Sequence, residues 1–469
     1  MKKNDFTKIV SNLRKNIKSP YFYANFFLDY NHNNKIYVDY FKNISFFSYL
    51  KLFLLIFKNI FLLIGVIIVK SKKNYNNLNK KNNEIIIFSH KINTIFNKDF
   101  YFFELIKYFK SKSIRFSLFQ INHINLHSKS PYLINNYMGI KNEILLFLKI
   151  IFSITNVIKQ INQICKIKNN KVYFNLVFIT FLLSNKTFNN LRIPLQILNI
   201  IKNDNNNHKI FITYEGYHWE KVFFGLIKNL NSKNKLNNKI FAVQHSYISS
   251  TNKNFFDFNN SDFNCDYLLS SGSILFNKVN KLFPSTINIG ATKENETKTI
   301  KKFKNANCIL FLPSSNQNEL EFLLNLLFNI HKLYPNYKLI WRSHPFMSAK
   351  YEYLFKKYPQ IEFSKNDLKF DLSRSKIGLY SISSSIIKAV CYGVRPIYVK
   401  NPNFDIDPLE DLRNSWKAKM NNYKNINNLY NYGNDKQTLS DMKISYQYCK
   451  NYFENFKSQT FIKLLDEDL

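Results

Sequence analysis

Cysteine is scarce in this sequence, and none of the cysteines is placed to form a metal site. The five residues are Cys165, Cys265, Cys308, Cys391 and Cys449. They form no CxxC pair and have no spacing typical of metal ligands. Two of them, Cys308 and Cys391, fall within apolar stretches, where a free thiol behaves as a small hydrophobic group. We therefore expect a protein of a reducing compartment without a structural metal, and nothing in the sequence indicates a cofactor.

The sequence also lacks a secretory signal peptide and any motif of a nucleic-acid-binding domain. Residues 1–43 mix polar and aromatic side chains without an early apolar core. The chain carries 67 basic and 31 acidic residues, a formal net charge of +36, yet it has no RNP-like, zinc-finger or basic-region pattern. The excess of Lys, Asn, Ile, Phe and Tyr is what the codons of an AT-rich genome give. We expect no nucleic-acid partner, and we expect the basic surface to favour anionic membranes and anionic nucleotides.

The strongest hydrophobic run extends from Ile44 to Val69 and ends at a basic cluster, residues 70–73. A lysine at the centre of a membrane-spanning helix costs about 3 kcal/mol, and each Leu, Ile, Phe or Val returns about 0.3–0.6 kcal/mol, so insertion is marginally favourable. Lys51 and Lys58 share one helical face, which also suits a helix lying in the membrane interface. A buried helix of a globular domain is the remaining alternative. We expect this segment to place a cytoplasmic protein at the inner face of the plasma membrane.

The rest of the chain alternates short apolar runs with helical patterns, which predicts an α/β fold of two Rossmann-like domains. A chain of 469 residues with 45% hydrophobic content is long enough for two cores. A Lys/Asn-rich linker precedes a first strand at residues 84–89, and a charged connection covers residues 291–304. We therefore divide the chain into an N-terminal hydrophobic helical segment (1–83), a first domain (84–295) and a second domain (296–469). The second domain ends in a helical tail that can pack back across the first.

Polar residues of the second domain gather where its predicted strands end. A strand at residues 337–341 stops at Arg342-Ser343-His344-Pro345, because proline cannot continue a strand and favours an extended residue before it. A second strand, residues 377–380, runs into Ser383-Ser384-Ser385, and the helix after these serines is closed by Gly393. These strand ends are expected to meet at one edge of the sheet.

The side chains at these strand ends are those that a phosphate group needs. Serine hydroxyls and free backbone N–H groups at a strand-to-helix turn suit an anion, and an imidazole and a guanidinium can lie over the same crevice. The serines could instead be ordinary N-caps. We expect a phosphate-containing donor to bind here, with further contacts from Ser314 and Ser315 after the first strand of this domain. Asn316 and Glu319 have the spacing of a capping box.

The first domain has an acidic residue at the end of a predicted strand. Residues 209–213 lead into Tyr214-Glu215-Gly216, and a carboxylate beside a glycine at an interdomain crevice can act as a general base. Glu215 could also be a simple turn residue, while Glu220 is expected to be an acid favoured by the helix dipole. The next strand ends in Gln244-His245-Ser246. Gln244 and His245 could contact an acceptor or phosphates, or His245 could be a structural histidine.

In order and relative placement, three motifs resemble the acidic-Gly, HP and serine motifs of bacterial sialyltransferases and polysialyltransferases. They are Tyr214-Glu215-Gly216, His344-Pro345 and Ser383-Ser384-Ser385. The stretches FITYEGYHWEK, FAVQHS, NIGATK and RSHP are also similar to those of capsule Kdo transferases and CDP-glycerol phosphotransferases. The resemblance covers residues 84–399. It departs from the usual pattern at Tyr214, where a second acidic residue is common, and at Ser246, where glycine is common.

The resemblance implies a metal-independent glycosyltransferase of the GT-B type that builds a bacterial surface polysaccharide or lipopolysaccharide. Its partners would be a nucleotide-sugar donor, expected to be CMP-linked, and a glycan or glycolipid acceptor. Glu215 would deprotonate the acceptor hydroxyl. His344, Ser384 and Ser385 would hold the donor phosphate, and His344 would assist the leaving group. Two alternatives remain: a transferase of a polyol phosphate from a CDP-linked donor, and a non-catalytic membrane-bound assembly protein.

Overall fold

A computed structural model describes most of the chain after residue 83. The described residues are 84–90, 99–121, 187–202, 206–249, 252, 254–293, 306–344, 348–401, 406–420, 423–431 and 436–467, with single helical positions between 141 and 148. The predicted membrane segment from Ile44 to Val69, and nearly all of a predicted long core helix at residues 142–167, lie outside them. Among the described helices, none combines the length and the apolar character that crossing a bilayer requires.

The first of two sheets is built from strands that precede residue 289. Its six strands are all parallel and lie in the order β2-β1-β3-β4-β5-β6. They are β1 (Ile85–His90), β2 (Phe116–Ile121), β3 (Lys209–Thr213), β4 (Lys239–Val243), β5 (Tyr267–Ser270) and β6 (Thr286–Asn288). The first five follow the order of flavodoxin-like sheets, in which the chain reverses direction across the sheet between β1 and β3.

The second sheet also has six parallel strands, in the order β12-β11-β10-β7-β8-β9. They are β7 (Cys308–Phe311), β8 (Lys338–Trp341), β9 (Ile361–Phe363), β10 (Ser375–Tyr380), β11 (Arg395–Val399) and β12 (Ala418–Met420). This is the strand order of the dinucleotide-binding fold, and it places the reversal between β7 and β10. The predicted α/β class with two Rossmann-like domains is confirmed.

Helices connect the strands and cover the sheets. They are α1 (Phe103–Ser111), α2 (Thr187–Lys202), α3 (His218–Asn234), α4 (Ser273–Val279), α5 (Gln317–Leu333), α6 (Ser348–Phe355), α7 (Leu368–Arg374), α8 (Ser385–Cys391), α9 (Ile426–Tyr430), α10 (Lys436–Tyr452) and α11 (Ser458–Glu467). Gly393 follows the end of α8 with φ of +73°, as predicted for a residue that closes a helix. The four cysteines in the described residues are buried and free.

Pro194 lies inside α2, a position where proline is usually disfavoured. A proline inside a helix removes one backbone hydrogen bond. The helix continues because residues on both sides of the proline, including Leu191, Ile193 and Ile197, are buried in the core of the first domain. Tertiary packing therefore outweighs the local preference of proline.

The C-terminal helix α11 completes the core of the first sheet. Phe461, Leu464 and Leu465 are buried in the same cluster as side chains of β1, β3 and β4. The Phe461 ring lies 5.7 Å from that of Phe211. Lys209 Nζ donates to the Leu465 carbonyl at 2.8 Å. The last described helix of the chain is thus part of the domain that contains the first described strand.

Residues 451–457, here called the crossing segment, carry the chain from the second sheet to the first. The N–H of Glu454 donates to the Ser271 carbonyl at 2.8 Å, and the Glu454 carbonyl accepts from the N–H of Ala291 at 2.9 Å. Gly290, with φ of +74°, permits this approach, since a Cβ there would lie 2.0 Å from the Asn455 carbonyl oxygen. The segment is therefore bonded backbone to backbone across the ends of β5 and β6.

Candidate active site

The adjacent strands β3 and β4 bring two of the predicted motifs together at the carboxyl edge of the first sheet. Gly216 has φ of +82°, and a Cβ there would lie 2.6 Å from the backbone of Phe255. Tyr214 is 1% exposed, and its ring packs 4.9 Å from that of Phe255. Tyr214, which departs from the acidic motif of the resembling family, is thus a core residue that anchors the loop carrying Glu215.

Glu215 and His245 form an ion pair. His245 Nε2 lies 2.8 Å from Glu215 Oε1, and the side chains are 5% and 23% exposed, respectively. The hydroxyl groups of Ser246 and Tyr217 also hydrogen bond to the Glu215 carboxylate. The imidazole is therefore buried behind the carboxylate. Of the two side chains, the carboxylate is the one that a ligand can reach from solvent.

These contacts set the ionisation of Glu215. Burial raises the pKa of Glu215, but the charge and hydrogen bond of His245, together with the hydroxyls of Ser246 and Tyr217, lower it well below its usual range. The same carboxylate charge, with burial, raises the pKa of Tyr217. Glu215 is consequently ionised at neutral pH and able to accept a proton.

Glu220 lies five residues further on and has a different role. It is fully buried, and its carboxylate accepts from the N–H of Tyr217 at 2.7 Å and from the N–H of Glu215 at 3.2 Å. Burial and the charge of Glu215 raise the pKa of Glu220, while these N–H bonds oppose the increase. Glu220 shapes the Glu215 loop and the start of α3, in keeping with its predicted position in the first helical turn.

Two residues that the sequence did not single out surround His245. The Tyr101 ring stands edge-on to the imidazole, with 4.4 Å between ring centroids. Asp99 accepts from the N–H groups of Tyr101 and Phe102 at 3.0 and 2.8 Å, and burial raises its pKa. Nδ1 of His245 has no hydrogen-bond partner among the described residues. No local pattern marks Asp99 or Tyr101, because only the strand order places their loop beside β4.

Gln244 is held within the protein. It is 1% exposed, and its Oε1 accepts from the Ser271 N–H at 2.8 Å and from the Ser271 hydroxyl. Its Nε2 donates to the Ser246 carbonyl. The amide oxygen thus bonds to the loop after β5 and the amide nitrogen to the loop of Gln244 itself, so a ligand contact at Gln244 would have to replace one of these bonds.

Lys293 is a further residue of this region that the sequence did not assign, although it ends the stretch NIGATK. Its Nζ donates to the His245 carbonyl at 3.0 Å and lies 3.7 Å from the centroid of the Phe453 ring. Burial and the charge of Lys388 lower the pKa of Lys293 to about 7, although Glu215 acts in the opposite direction. Phe453 belongs to the crossing segment, so Lys293 joins the His245 loop to the far end of the chain.

In the second sheet, the carboxyl ends of β7 and β10 meet where the strand order reverses. Glu319 is fully buried there, and its carboxylate accepts from the N–H of Ser314 at 2.7 Å and of Ile382 at 2.8 Å. Burial raises the pKa of Glu319. One acid thus connects the loop after β7 to the serine-containing loop after β10.

The predicted capping box of α5 is only half formed. Asn316 caps the helix, with its side-chain oxygen accepting from the N–H groups of Asn318 and Glu319 at 3.0 and 3.2 Å. The Glu319 carboxylate does not return to the Asn316 N–H in the described contacts, because it is buried under the two loops and bonds to Ser314 and Ile382. Ser314 Oγ accepts from the Asn316 N–H at 3.1 Å, and Ser315 is exposed.

The three serines begin α8. Ser383 is 4% exposed, whereas Ser384 and Ser385 are half-buried. Ser384 occupies the N-cap position, but its side chain makes no capping hydrogen bond. The alternative of ordinary capping serines therefore gains no support from Ser384, and the hydroxyls of Ser384 and Ser385 lie at the carboxyl edge of the sheet.

The residues that follow β8 differ in their surroundings. Arg342 Nη1 donates to Asp371 Oδ2 at 2.8 Å and to the Asn366 carbonyl at 2.6 Å, and Asp371 is fully buried. The guanidinium is thus tied to its own domain. His344 is half-buried, and burial lowers its pKa, which favours a neutral imidazole. Pro345 lies outside the described residues. In the described part of the chain, no group of three or more His, Cys, Asp or Glu is arranged to hold a metal ion.

No protein-family model matches this chain, and no curated protein matches it. Among solved structures, it is similar to the pneumococcal O-GlcNAc transferase GtfA in complex with UDP and GlcNAc, with 13% identity, 58% of this chain and 59% of that chain covered, and a TM-score of 0.37. It is also similar to the glycotransferase of kitacinnamycin, with 9% identity, 82% and 98% covered, and a TM-score of 0.44.

A third similar structure is the lipopolysaccharide outer core galactosyltransferase WaaB in its apo form, with 10% identity, 82% and 100% covered, and a TM-score of 0.37. The likeness is thus to glycosyltransferases. This chain spans less than two thirds of the length of the pneumococcal enzyme.

The two strand-end clusters are connected across the domains. The loop after β4 reaches the second domain, where the Tyr247 hydroxyl donates to the Asp407 carbonyl at 3.0 Å. Lys293 lies within electrostatic range of both Glu215 and Lys388, which follows the serines on α8. An ionised carboxylate on one sheet and hydroxyl and imidazole groups on the other are the chemical groups needed to activate a hydroxyl and to hold an anion.

Proposed function

We propose that this chain is a glycosyltransferase of the GT-B type. It transfers a sugar from a nucleotide donor, CMP-linked, to a hydroxyl group of a surface glycan or glycolipid. The observation that carries the proposal is the Glu215–His245 pair, in which an ionised, half-exposed carboxylate stands at the carboxyl edge of the first sheet with a buried imidazole behind it. A carboxylate in this position can accept a proton from an acceptor hydroxyl.

The proposed reaction assigns one step to each sheet. The acceptor oxygen attacks the anomeric carbon of the sugar as Glu215 takes its proton. A new carbon–oxygen bond forms, and the bond between the anomeric carbon and the phosphate oxygen of the donor breaks. The phosphate leaves with the electron pair, and His344 and the N–H and hydroxyl groups of Ser383, Ser384 and Ser385 stabilise its charge. Because burial lowers the pKa of His344, it acts as a neutral hydrogen-bond donor.

The acceptor accordingly binds on the first domain and the donor mainly on the second. His245 is a positioning residue in this scheme, because its side chain is 5% exposed and bonds to Glu215. Arg342 supports the loop after β8 through Asp371. Ser314 and Ser315 border the donor from the neighbouring strand end.

The nucleotide preference is tested by thermal shift with CMP, CDP, UDP and GDP. UDP belongs in the panel because the structure of the similar pneumococcal enzyme contains it. We expect CMP to stabilise the protein most, and we expect release of sugar from a CMP-linked donor when an acceptor glycan is added. Turnover of CDP-glycerol in place of CMP-sugars would instead indicate a polyol phosphotransferase. Tight CMP binding without turnover of either donor would indicate a non-catalytic assembly protein.

We also propose that residues before the first strand hold the protein at the inner face of the plasma membrane. The hydrophobic run from Ile44 to Val69 and the basic residues after it motivate this proposal. The test compares the fractionation of the full chain with that of a protein starting at Lys80. The full chain should enter the membrane fraction and the shortened protein should not. If both remain in the supernatant at low salt without detergent, the segment belongs to a globular core.

A further inference from the structure

Lys293 has a fixed backbone and a side chain that the proposed reaction does not yet use. The residues before it are held in place: the Ala291 N–H donates to the Glu454 carbonyl at 2.9 Å, and the Thr292 hydroxyl donates to the Tyr101 carbonyl at 2.8 Å. The Thr292 carbonyl accepts from the N–H of Glu104 at 2.8 Å. The direction of the Lys293 side chain is thus determined by bonds to α1 and to the crossing segment.

The ammonium group of Lys293 has two described contacts and no carboxylate partner among the described residues. It donates to the His245 carbonyl at 3.0 Å, and it lies 3.7 Å from the centroid of the Phe453 ring. A carbonyl and an aromatic face both attract a cation, but neither neutralises it. A half-buried ammonium group without a counter-ion is costly, because burial disfavours its charged form.

A second lysine increases this cost. Lys388 of α8 is close enough to lower the pKa of Lys293, which burial already brings to about 7, and Glu215 only partly compensates. Lys388 follows Ser384 by four residues and Ser385 by three, so it lies on their side of the helix. The Phe453 ring, which lies 3.7 Å from Lys293 Nζ, belongs to the same buried cluster as the apolar residues of α8. The structure thus places one lysine from each domain beside the serine turn.

We propose that Lys293 and Lys388 form a binding site for the phosphate of the nucleotide donor, between the two domains. A bound anion supplies the counter-ion that Lys293 lacks among the described residues, and it offsets the unfavourable effect of Lys388 on the charged form of Lys293. The inference rests on the proposed function for the identity of the anion, and it adds Lys293 of the first domain to the donor phosphate site that the proposed reaction places on the second. Lys293 also bonds to the His245 carbonyl, so the bound phosphate lies next to the loop that positions Glu215.

The test is isothermal titration of the full chain with CMP and, in parallel, with cytidine. We expect Lys293→Gln and Lys388→Gln each to weaken CMP binding by roughly 10- to 100-fold, the effect of losing one charge-assisted bond, and to leave cytidine binding unchanged. Lys293→Arg keeps the charge and should retain most of the CMP affinity. Lys278→Gln is the matched control, because this lysine also joins the domains but pairs with Asp411 and Glu410.

A second measurement reports protonation directly. With a pKa of about 7, the Lys293 side chain is mostly an uncharged amine near pH 7.5 in the free protein. Binding of CMP should therefore draw a proton onto this amine. Titration in buffers of different ionisation enthalpy measures this uptake, which Lys293→Gln should reduce and Lys278→Gln should not. Because His344 can also take up a proton, the difference between wild type and Lys293→Gln is the relevant quantity.

The outcomes separate this inference from the proposed function. If Lys293→Gln and Lys388→Gln bind CMP within twofold of wild type, the two-lysine site is wrong while the glycosyltransferase proposal stands. If the wild type binds no CMP, inorganic pyrophosphate is titrated instead. Lysine-dependent pyrophosphate binding would keep the anion site and remove the CMP donor, and absence of binding to both probes would overturn the inference. If Lys293→Gln lowers the melting temperature and Lys388→Gln does not, the CMP affinity of Lys388→Gln alone tests the site.

Discussion

Two strand–loop–helix units of this molecule, one in each sheet, are built in the same way and carry different side chains. In β3–α3 the buried Glu220 accepts the backbone N–H of Glu215, five residues earlier. In β7–α5 the buried Glu319 accepts the backbone N–H of Ser314, also five residues earlier. Glu215 and Ser314 are thus equivalent positions. The first presents a carboxylate at the carboxyl edge of its sheet, and the second a hydroxyl.

The comparison separates the scaffold from the chemistry. A buried glutamate in the first turn of the helix holds the loop in both units, and the exposed residue of that loop is free to differ. The two units also connect to their neighbours differently. In the first sheet the neighbouring strand end supplies His245, which pairs with Glu215. In the second sheet Glu319 itself reaches the neighbouring loop at Ile382. In the proposed reaction, the first unit supplies the carboxylate that takes the acceptor proton, and the second supplies backbone and hydroxyl groups for the donor phosphate.

The strongest test of this division is Glu215→Gln. If Glu215 is the base, the transfer rate should fall by roughly 10² to 10⁴, the usual contribution of a positioned general base. The melting temperature and CMP affinity should change little, because the amide has nearly the same shape and the donor lies mainly on the second domain. Steady-state kinetics with a CMP-linked donor measure the rate.

Glu321→Gln, at an exposed position of α5 outside both strand-end clusters, is the control and should keep the rate. The pH profile gives a second criterion. Because the pKa of Glu215 is lowered, the parent enzyme should lose activity only at pH values below the usual range of a glutamate, and this acidic limb should vanish in Glu215→Gln. Near-parental turnover of Glu215→Gln would mean that the base is another residue, with His245 the next to change.

The shared scaffold predicts equal effects of Glu220→Ala and Glu319→Ala on stability. Each removal leaves two or more partly buried N–H groups without an acceptor and a cavity at a buried side chain, and should lower the free energy of unfolding by about 2–4 kcal/mol. Urea denaturation measures the change. Glu321→Ala is the control, since Glu321 is exposed on α5 and should change stability by less than about 0.5 kcal/mol. A loss below about 1 kcal/mol in either buried variant would show that its loop does not depend on the glutamate.

His245→Gln tests whether the imidazole sets the ionisation of Glu215. Without the charge of His245, burial should dominate, and the pKa of Glu215 should rise. The base must be deprotonated to act, so the acidic limb of the pH–rate profile should move to higher pH while the rate at alkaline pH falls less. If the acidic limb of the pH–rate profile does not move, the hydroxyls of Ser246 and Tyr217 are the groups that lower the pKa of Glu215.

The smallest expected effect is that of His344→Ala. His344 is half-buried at a strand end, so its loss should change the melting temperature little and weaken CMP binding by about tenfold, the effect of one lost hydrogen bond to a charged group. The dissociation constant for CMP and the melting temperature of the variant, measured together, show whether His344 contributes to binding or to stability. A large fall in melting temperature with unchanged affinity would make His344 a structural residue.

The fold followed from short-range patterns more completely than the site did. Buried parallel strands are short apolar runs bounded by polar residues, and the predicted bounds of β3 (Lys209–Thr213) are those of the structure. The end of α8 was also predicted from a local signal, the glycine at position 393. The continuation of α2 through Pro194 is not local, because the core that buries this helix comes from residues distant in sequence.

The candidate site depends on which strands are neighbours. Glu215 and His245 were each singled out as strand-end residues, but their ion pair required the pairing of β3 with β4. The contact of Lys293 with Phe453, and that of Tyr101 with His245, join residues far apart in the chain. No periodicity or motif encodes such contacts, so Lys293 and Tyr101 were missed even though Lys293 ends a stretch that the resemblance had marked.

The position of α11 has a consequence for how the protein is made. Its residues Phe461, Leu464 and Leu465 lie in the core that also contains β1, β3 and β4. During translation these strands leave the ribosome long before α11 does, with part of their apolar surface uncovered. The first domain therefore cannot finish folding until nearly the whole second domain has been synthesised. A nascent chain stalled before residue 458 should expose this surface to chaperones.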